Sequence, residues 1–100
     1  MVRYIVDDGA LIVSLDGELD HHFASTAKEA IDREYSRCGA RDIVFDFSRV
    51  GFMDSSGIGM IIGRYKQVSK RGGFVYAKGM NDGLFRIFEI SGLHKIVRVR

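Results

Sequence analysis

One hundred residues, 46% of them hydrophobic, suffice for one compact domain that buries a core without disulfides or metals, so a single domain over residues 1–100 is expected. Fifteen basic against thirteen acidic residues leave a formal charge of +2, a small and scattered surplus that does not point to direct nucleic-acid binding. The lone Cys38 has no partner within the chain, no run approaches the ~18 apolar residues of a membrane span, and the N-terminus lacks the apolar core of a signal peptide; a cytoplasmic protein with no membrane partner is expected.

Residues 2–6 and 10–15 are rich in β-branched and apolar side chains, and Asp7-Asp8-Gly9 between them has hairpin chemistry, so the chain should begin with two antiparallel strands. After Gly17-Glu18-Leu19, Asp20 is a candidate cap for a helix in which Phe23, Ala27, Ile31 and Cys38 recur at helical spacing up to Gly39. Lys28, Asp32, Arg33 and Arg37 fall on its polar face, and Cys38 reads as a helix-buried thiol. Residues 43–47 form a nearly continuous apolar run, which suits a central strand covered on both faces.

From about residue 56 to 71 the period becomes 3.6, with Ile58, Ile61, Ile62, Tyr65 and Val68 on one core-facing stripe. Gly59 and Gly63 weaken that helix, and the expected compensation is close packing against a neighbour. Gly72-Gly73 ends it, residues 74–78 form a strand, Asn81 or Asp82 caps a short helix through Ile90, Gly92 stops it, and residues 95–99 form a last strand. Strand, helix and strand in repeated order imply parallel pairs joined by right-handed crossovers. The expected fold class is α/β, and no proline, repeat or low-complexity tract marks a second domain.

The segment Phe52-Met53-Asp54-Ser55-Ser56-Gly57-Ile58-Gly59 places two hydroxyls where strand gives way to helix. Ser or Asp there caps the first turn, whose N–H groups lack partners inside the helix; those groups and the positive end of the dipole also favour an added anion. On spacing alone, an ordinary N-cap is the prevailing reading.

No catalytic constellation accompanies it. A hydrolase built on Ser55 or Ser56 lacks G-x-S-x-G, because Met53 and Asp54 precede Ser55, and His21, His22 and His94 lie beside helix boundaries. Gly57-Ile58-Gly59 with Gly63 is only a fragment of a dinucleotide fingerprint, and Lys78-Gly79 reverses the P-loop order. Asp16, Glu18 and Asp20 lack the later glutamate of a calcium loop, so a loop surface for a basic partner is the better reading. Lys66, Lys70, Arg71 and Lys78 read as a solvated face.

In combination, Gly17-Glu18-Leu19-Asp20-His21-His22, Phe52-Met53-Asp54-Ser55-Ser56-Gly57, Gly63-Arg64-Tyr65-Lys66-Gln67 and Ser91-Gly92-Leu93 closely resemble the anti-sigma factor antagonists of the STAS domain family. Within that family the chain is most similar to the sporulation antagonists of the anti-sigma F factor. The resemblance covers nearly the whole chain and implies a single STAS-like domain with a mixed, mostly parallel four- to five-stranded sheet packed with α-helices. It also implies partner switching. The unphosphorylated antagonist binds an anti-sigma factor that is a serine kinase, freeing the sporulation sigma factor. The kinase uses ATP and Mg to phosphorylate the first serine of Asp-Ser-Ser-Gly, which is Ser55 here, and a serine phosphatase reverses this. The implied partner-binding set is Glu18, Asp20, Asp54, Ser55, Ser56 and Gly57, with no catalytic residue, cofactor or metal in the chain itself. A stress-response antagonist with a different kinase is the alternative within the fold, and a small serine hydrolase the alternative outside it. The pattern departs from the family in two places. Close relatives continue past the last strand into another helix whereas this sequence stops at Arg100, and His94 stands where an aromatic apolar residue is expected.

A phosphoserine adds about −1.5 to −2 charge, and at a helix N-terminus the dipole favours that charge by ~0.3–1 kcal/mol. The fold should survive it. At a partner interface, a unit charge pair at ~5 Å contributes roughly 1–3 kcal/mol, and ~1.4 kcal/mol is tenfold in affinity, so local occlusion is enough to switch binding.

Overall fold

The computed structural model describes residues 1–100. Strands β1 (Val2–Asp7) and β2 (Ala10–Asp16) pair antiparallel, with Asp7 opposite Ala10. The two residues between them, Asp8 and Gly9, both have positive φ (50° and 78°), the backbone twist of a two-residue type I′ hairpin. Strands β3 (Asp42–Arg49), β4 (Val75–Lys78) and β5 (Arg98–Val99) add parallel in chain order, giving a five-stranded sheet ordered β1-β2-β3-β4-β5. Helices α1 (His21–Cys38), α2 (Ser55–Lys70) and α3 (Asp82–Ser91) fill the crossovers. The last strand is shorter than expected, because residues Leu93–Lys95 form a 3₁₀ turn after the αL cap at Gly92.

Right-handed crossovers that all step the same way across a sheet stack their helices on one face. Alternate strand residues build the core there: Leu11, Val13, Ile43, Phe45, Val75 and Ala77 join Ala27 and Ile31 of α1, Ile61 and Val68 of α2, and Leu84 and Phe88 of α3 in one buried cluster. Phe47 stacks on Phe45 and meets Phe88 edge-on, each at 5.7 Å between centroids. The expectation of a central strand covered on both faces holds for β3, and Val44 shows how the second face is covered. It is buried yet lies outside that cluster, flanked in register by half-buried Ile12 and Tyr76. Cross-strand neighbours, not a second helical layer, shield it.

Helix α1 starts at Asp20, whose Oδ1 accepts from Phe23 N at 2.9 Å, and ends at Gly39 with φ 72°. Tyr35 near its end donates to Arg41 O at 2.7 Å, while Arg71 lies 4.1 Å over the Tyr35 ring and donates to Ala40 O at 3.0 Å. Burial pushes the Tyr35 phenol above its usual pKa, with Arg71 opposing. Arg71 is thus a tie between helix ends, not simply part of a solvated face, and Cys38 is half-buried rather than buried.

The stripe on α2 is also rotated from expectation. Gly57, Met60, Ile61, Arg64 and Val68 are its buried positions, whereas Ile58, Ile62 and Tyr65 are half-buried, because α1 packs alongside and claims a second flank. Gly59 and Gly63 do not mark close packing: a Cβ at either meets nothing within 4 Å.

Candidate functional site

Two loops run side by side at the carboxyl ends of β2 and β3. Leu19 and Met53 form an isolated parallel bridge, in which Leu19 N donates to Phe52 O at 3.0 Å and Asp54 N to Leu19 O at 3.4 Å. Each loop then opens a helix with an aspartate. Asp20 caps α1, and Asp54 caps α2 by accepting from Ser56 N at 2.8 Å and Gly57 N at 3.4 Å. The cap of α2 is therefore Asp54, and Ser55 is the first helical residue. Two N–H groups that would favour an anion are already occupied by a carboxylate.

The expected site residues fall into three settings. Glu18, Asp20 and Ser55 are exposed, and Asp54 and Ser56 are half-buried. Gly57 is buried; its ideal Cβ would lie 2.8 Å from Leu19 O and 3.0 Å from Met53 Cβ, so its contribution is to let the two loops close on α2. Phe52, half exposed at 50%, presents an apolar side chain beside them. Asp16, Glu18 and Asp20 do not gather into a metal-ligating cluster, and Asp16 instead stands 3.8 Å from Arg49 in an exposed ion pair.

One histidine does reach a serine. His21 Nδ1 lies 3.2 Å from Ser56 Oγ, linking the first turns of α1 and α2. An activated nucleophile also needs its base oriented by a third group. His21 has no second hydrogen bond within the protein and is exposed. His22 is exposed too, and His94 Nδ1 sits 3.2 Å from Phe88 O at the far end of α3.

The Asp32–Arg64 pair joins α1 to α2 below this surface, so Asp32, on the polar face of α1, is turned toward a neighbouring helix. Arg64 is only 4% exposed, with Nε 2.9 Å from Asp32 Oδ1. The Nε–H direction misses that oxygen, so the contact is ionic and not a directed hydrogen bond. Burial draws the guanidinium below its usual pKa and Asp32 opposes this. The signal was present in the spacing, since Gly57, Met60, Ile61, Arg64 and Val68 follow i, i+3, i+4, i+7 and i+11.

The family model described as STAS domain matches residues 2–100. The chain belongs to the STAS domain family. This STAS domain is 40% identical over 91 residues to an anti-sigma F factor antagonist of Paenibacillus polymyxa, covering 91% of this chain and 78% of the relative. It is 32% identical over 94 residues to an anti-sigma-B factor antagonist of Listeria monocytogenes, covering 94% and 82%. Among solved structures it resembles the Bacillus cell fate determinant SpoIIAA in the phosphorylated form, with a TM-score of 0.76 and 26% identity over 100% of this chain and 91% of that one. The STAS domain here has no helix long and apolar enough to cross a membrane.

Proposed function

We propose that this STAS domain is an anti-sigma factor antagonist switched by phosphorylation of Ser55. Unmodified, it binds an anti-sigma factor that is a serine kinase and frees a sporulation sigma factor. Phosphorylated by that kinase from ATP and Mg, it lets go, and a serine phosphatase resets it. The chain is a substrate and binding module rather than an enzyme, and it works in the cytoplasm.

The observation that carries the reading is the placement of Ser55. It is exposed at the first position of α2, next to the Asp54 cap and across the Leu19–Met53 bridge from the Glu18–Asp20 loop. A partner seated on this surface touches both loops, Ser56 and the hydroxyl to be modified, while Gly57 beneath holds the loops together. A phosphate there adds charge beside the carboxylates of Asp54 and Asp20, at the centre of the contact, without entering the core.

The 40% identity to an anti-sigma F factor antagonist favours the sporulation partner. A stress-response antagonist with another kinase is the second reading, and the 32% identity to an anti-sigma-B factor antagonist is what supports it. Incubating the chain with an F-type and a B-type anti-sigma kinase and ATP, with phosphate located by mass spectrometry, separates them. Stoichiometric phosphate on Ser55 from the F-type kinase alone is the expected result. The same result from the B-type kinase alone would move the assignment to the stress response, and phosphate on Ser56 would refute the site.

A further inference from the structure

The two edges of the sheet are finished differently. Strand β5 is only two residues long, with Arg98 stacked 4.2 Å over the Phe74 ring and Arg100 4.2 Å over that of Tyr76. Strand β1 runs six residues in unbroken register against β2, with no proline, no bulge and no strand beyond it. Brevity, bulges and proline are the usual means by which a free edge is kept from pairing. On β1 the apolar side chains of Ile5 and Val6 are instead 64% and 52% exposed.

The pairing with β2 fixes which backbone groups of β1 are free. Met1 and Asp16 exchange two hydrogen bonds, each of 2.9 Å. Antiparallel pairs alternate between bonded and non-bonded along a ladder, so Arg3, Ile5 and Asp7 also bond to β2, while the N–H and C=O of Val2, Tyr4 and Val6 point out along the free edge. The side chains divide the same way. Val2, Tyr4 and Val6 lie opposite the core residues Leu15, Val13 and Leu11, which leaves Arg3, Ile5 and Asp7 on the face away from the helices. Neither Arg3 nor Asp7 is in an ion pair within the chain.

We propose that β1 is a homodimer interface, pairing antiparallel with β1 of a second copy so that Ile5 meets Ile5 across a two-fold axis. In that register Tyr4 of each copy faces Val6 of the other, and each such pair exchanges two hydrogen bonds through groups that already point outward. Arg3 of each copy faces Asp7 of the other, so two opposite-charge pairs flank an apolar centre. Charge decides the register. Sliding by two residues, the smallest step that keeps the outward groups paired, sets Arg3 against Ile5 and Asp7 against Met1 in one direction, and Ile5 against Asp7 and Arg3 against Gly9 in the other. The contact is self-complementary and closes on itself, because the joined sheet ends in the short β5 on both sides and assembly stops at two copies. It uses no residue of the Ser55 surface.

Sedimentation equilibrium of the full chain over a concentration series, with amide hydrogen exchange at both ends of that series, tests the interface. A reversible monomer–dimer equilibrium is expected, with the Tyr4 and Val6 amides gaining protection as the dimer forms. Asp7→Arg and Arg3→Asp should each weaken the dimer at least tenfold, since two attractive pairs become two repulsive ones. Mixing those two variants should restore it as a heterodimer, because every arginine in the mixed pair again faces an aspartate. Ile5→Glu, which sets like charges against each other across the axis, should leave a monomer. All three side chains are exposed, so each variant should keep the wild-type circular dichroism. A wild-type chain that stays monomeric throughout would overturn the proposal and leave the edge to a strand of another protein. A dimer whose Tyr4 and Val6 amides stay unprotected, single variants that dimerise like the wild type, or no recovery on mixing would overturn it equally. No kinase takes part, so failure here leaves the Ser55 switch standing, and failure of the switch leaves this interface standing.

Discussion

Leu19 and Met53 are bridged as two strands would be, although neither belongs to a strand of the sheet, and this one pairing sets the caps of α1 and α2 side by side. Gly57 makes the pairing possible by admitting Leu19 O to 2.8 Å from where a Cβ would stand. Gly57→Ala should therefore cost about 1–3 kcal/mol through overpacking and push the Glu18–Asp20 loop away from Ser55. Gly59→Ala, two residues on and in open space, should instead stabilise by about 0.5–1 kcal/mol. Urea unfolding of the two variants checks the contrast; equal effects would mean that the loop contact does not matter.

Asp54 carries both a hydrogen-bonding and an electrostatic role, and substitutions divide them. Asp54→Ala should cost about 0.5–2 kcal/mol by leaving Ser56 N and Gly57 N without their acceptor, whereas Asp54→Asn retains the cap and costs less. The same Asp54→Asn change removes a like charge beside Ser55, so Ser55→Asp should destabilise the protein less in that background than in the wild type. A double-mutant cycle from chemical denaturation measures that coupling.

The Asp32–Arg64 contact should matter more when broken than when removed. Asp32→Asn leaves a buried guanidinium without its counter-charge and should lower stability by about 1–3 kcal/mol. Combining it with Arg64→Met should recover part of that loss, since no unpaired charge then remains buried. Thermal unfolding of the two single variants and the pair distinguishes this from simple additivity.

Asp46 makes stability depend on acid. A hydrogen bond from the Ser48 hydroxyl holds its carboxyl below the usual range, helped by Ser48 N at 3.0 Å and by Lys78 and Arg3, while burial opposes this. A folded pKa below the unfolded one gives stabilisation that is fully present above the ordinary carboxylate range and is lost as pH falls through the folded value. Ser48→Ala should thus be less stable than wild type near neutral pH, and the gap should narrow below about pH 4. Melting curves across that window test the sign.

The hairpin, the three parallel steps and the cap at Asp20 were legible in the sequence because turn residues, alternation and cap chemistry are local signals, and of the two candidates for the cap of α3, Asn81 and Asp82, it is Asn81 that accepts from Leu84 N. The structure adds what depends on neighbours. Asp54 rather than Ser55 caps α2 because its carboxylate reaches two N–H groups. Arg64 is buried because α1 lies against its flank of α2, and Gly59 and Gly63, whose spacing suggests close packing, border an open trough. Val44 shows the same limit: the apolar run identifies a central strand covered on both faces, but not that cross-strand side chains do the covering on one of them. The position of Ser55 at the start of α2 was legible from its motif, while the Leu19–Met53 bridge that sets the two loops side by side joins residues 34 apart, beyond any local pattern.

The central claim is that charge at Ser55 controls partner binding. Its most direct measurement is the affinity of the unmodified and the singly phosphorylated chain for the anti-sigma kinase that modifies it, by calorimetry at fixed salt. About −1.5 to −2 charge placed within ~5 Å of interface charges corresponds to at least tenfold weaker binding, with amide shifts changed only around the two loops and the start of α2. Equal affinities for the two forms would contradict the account.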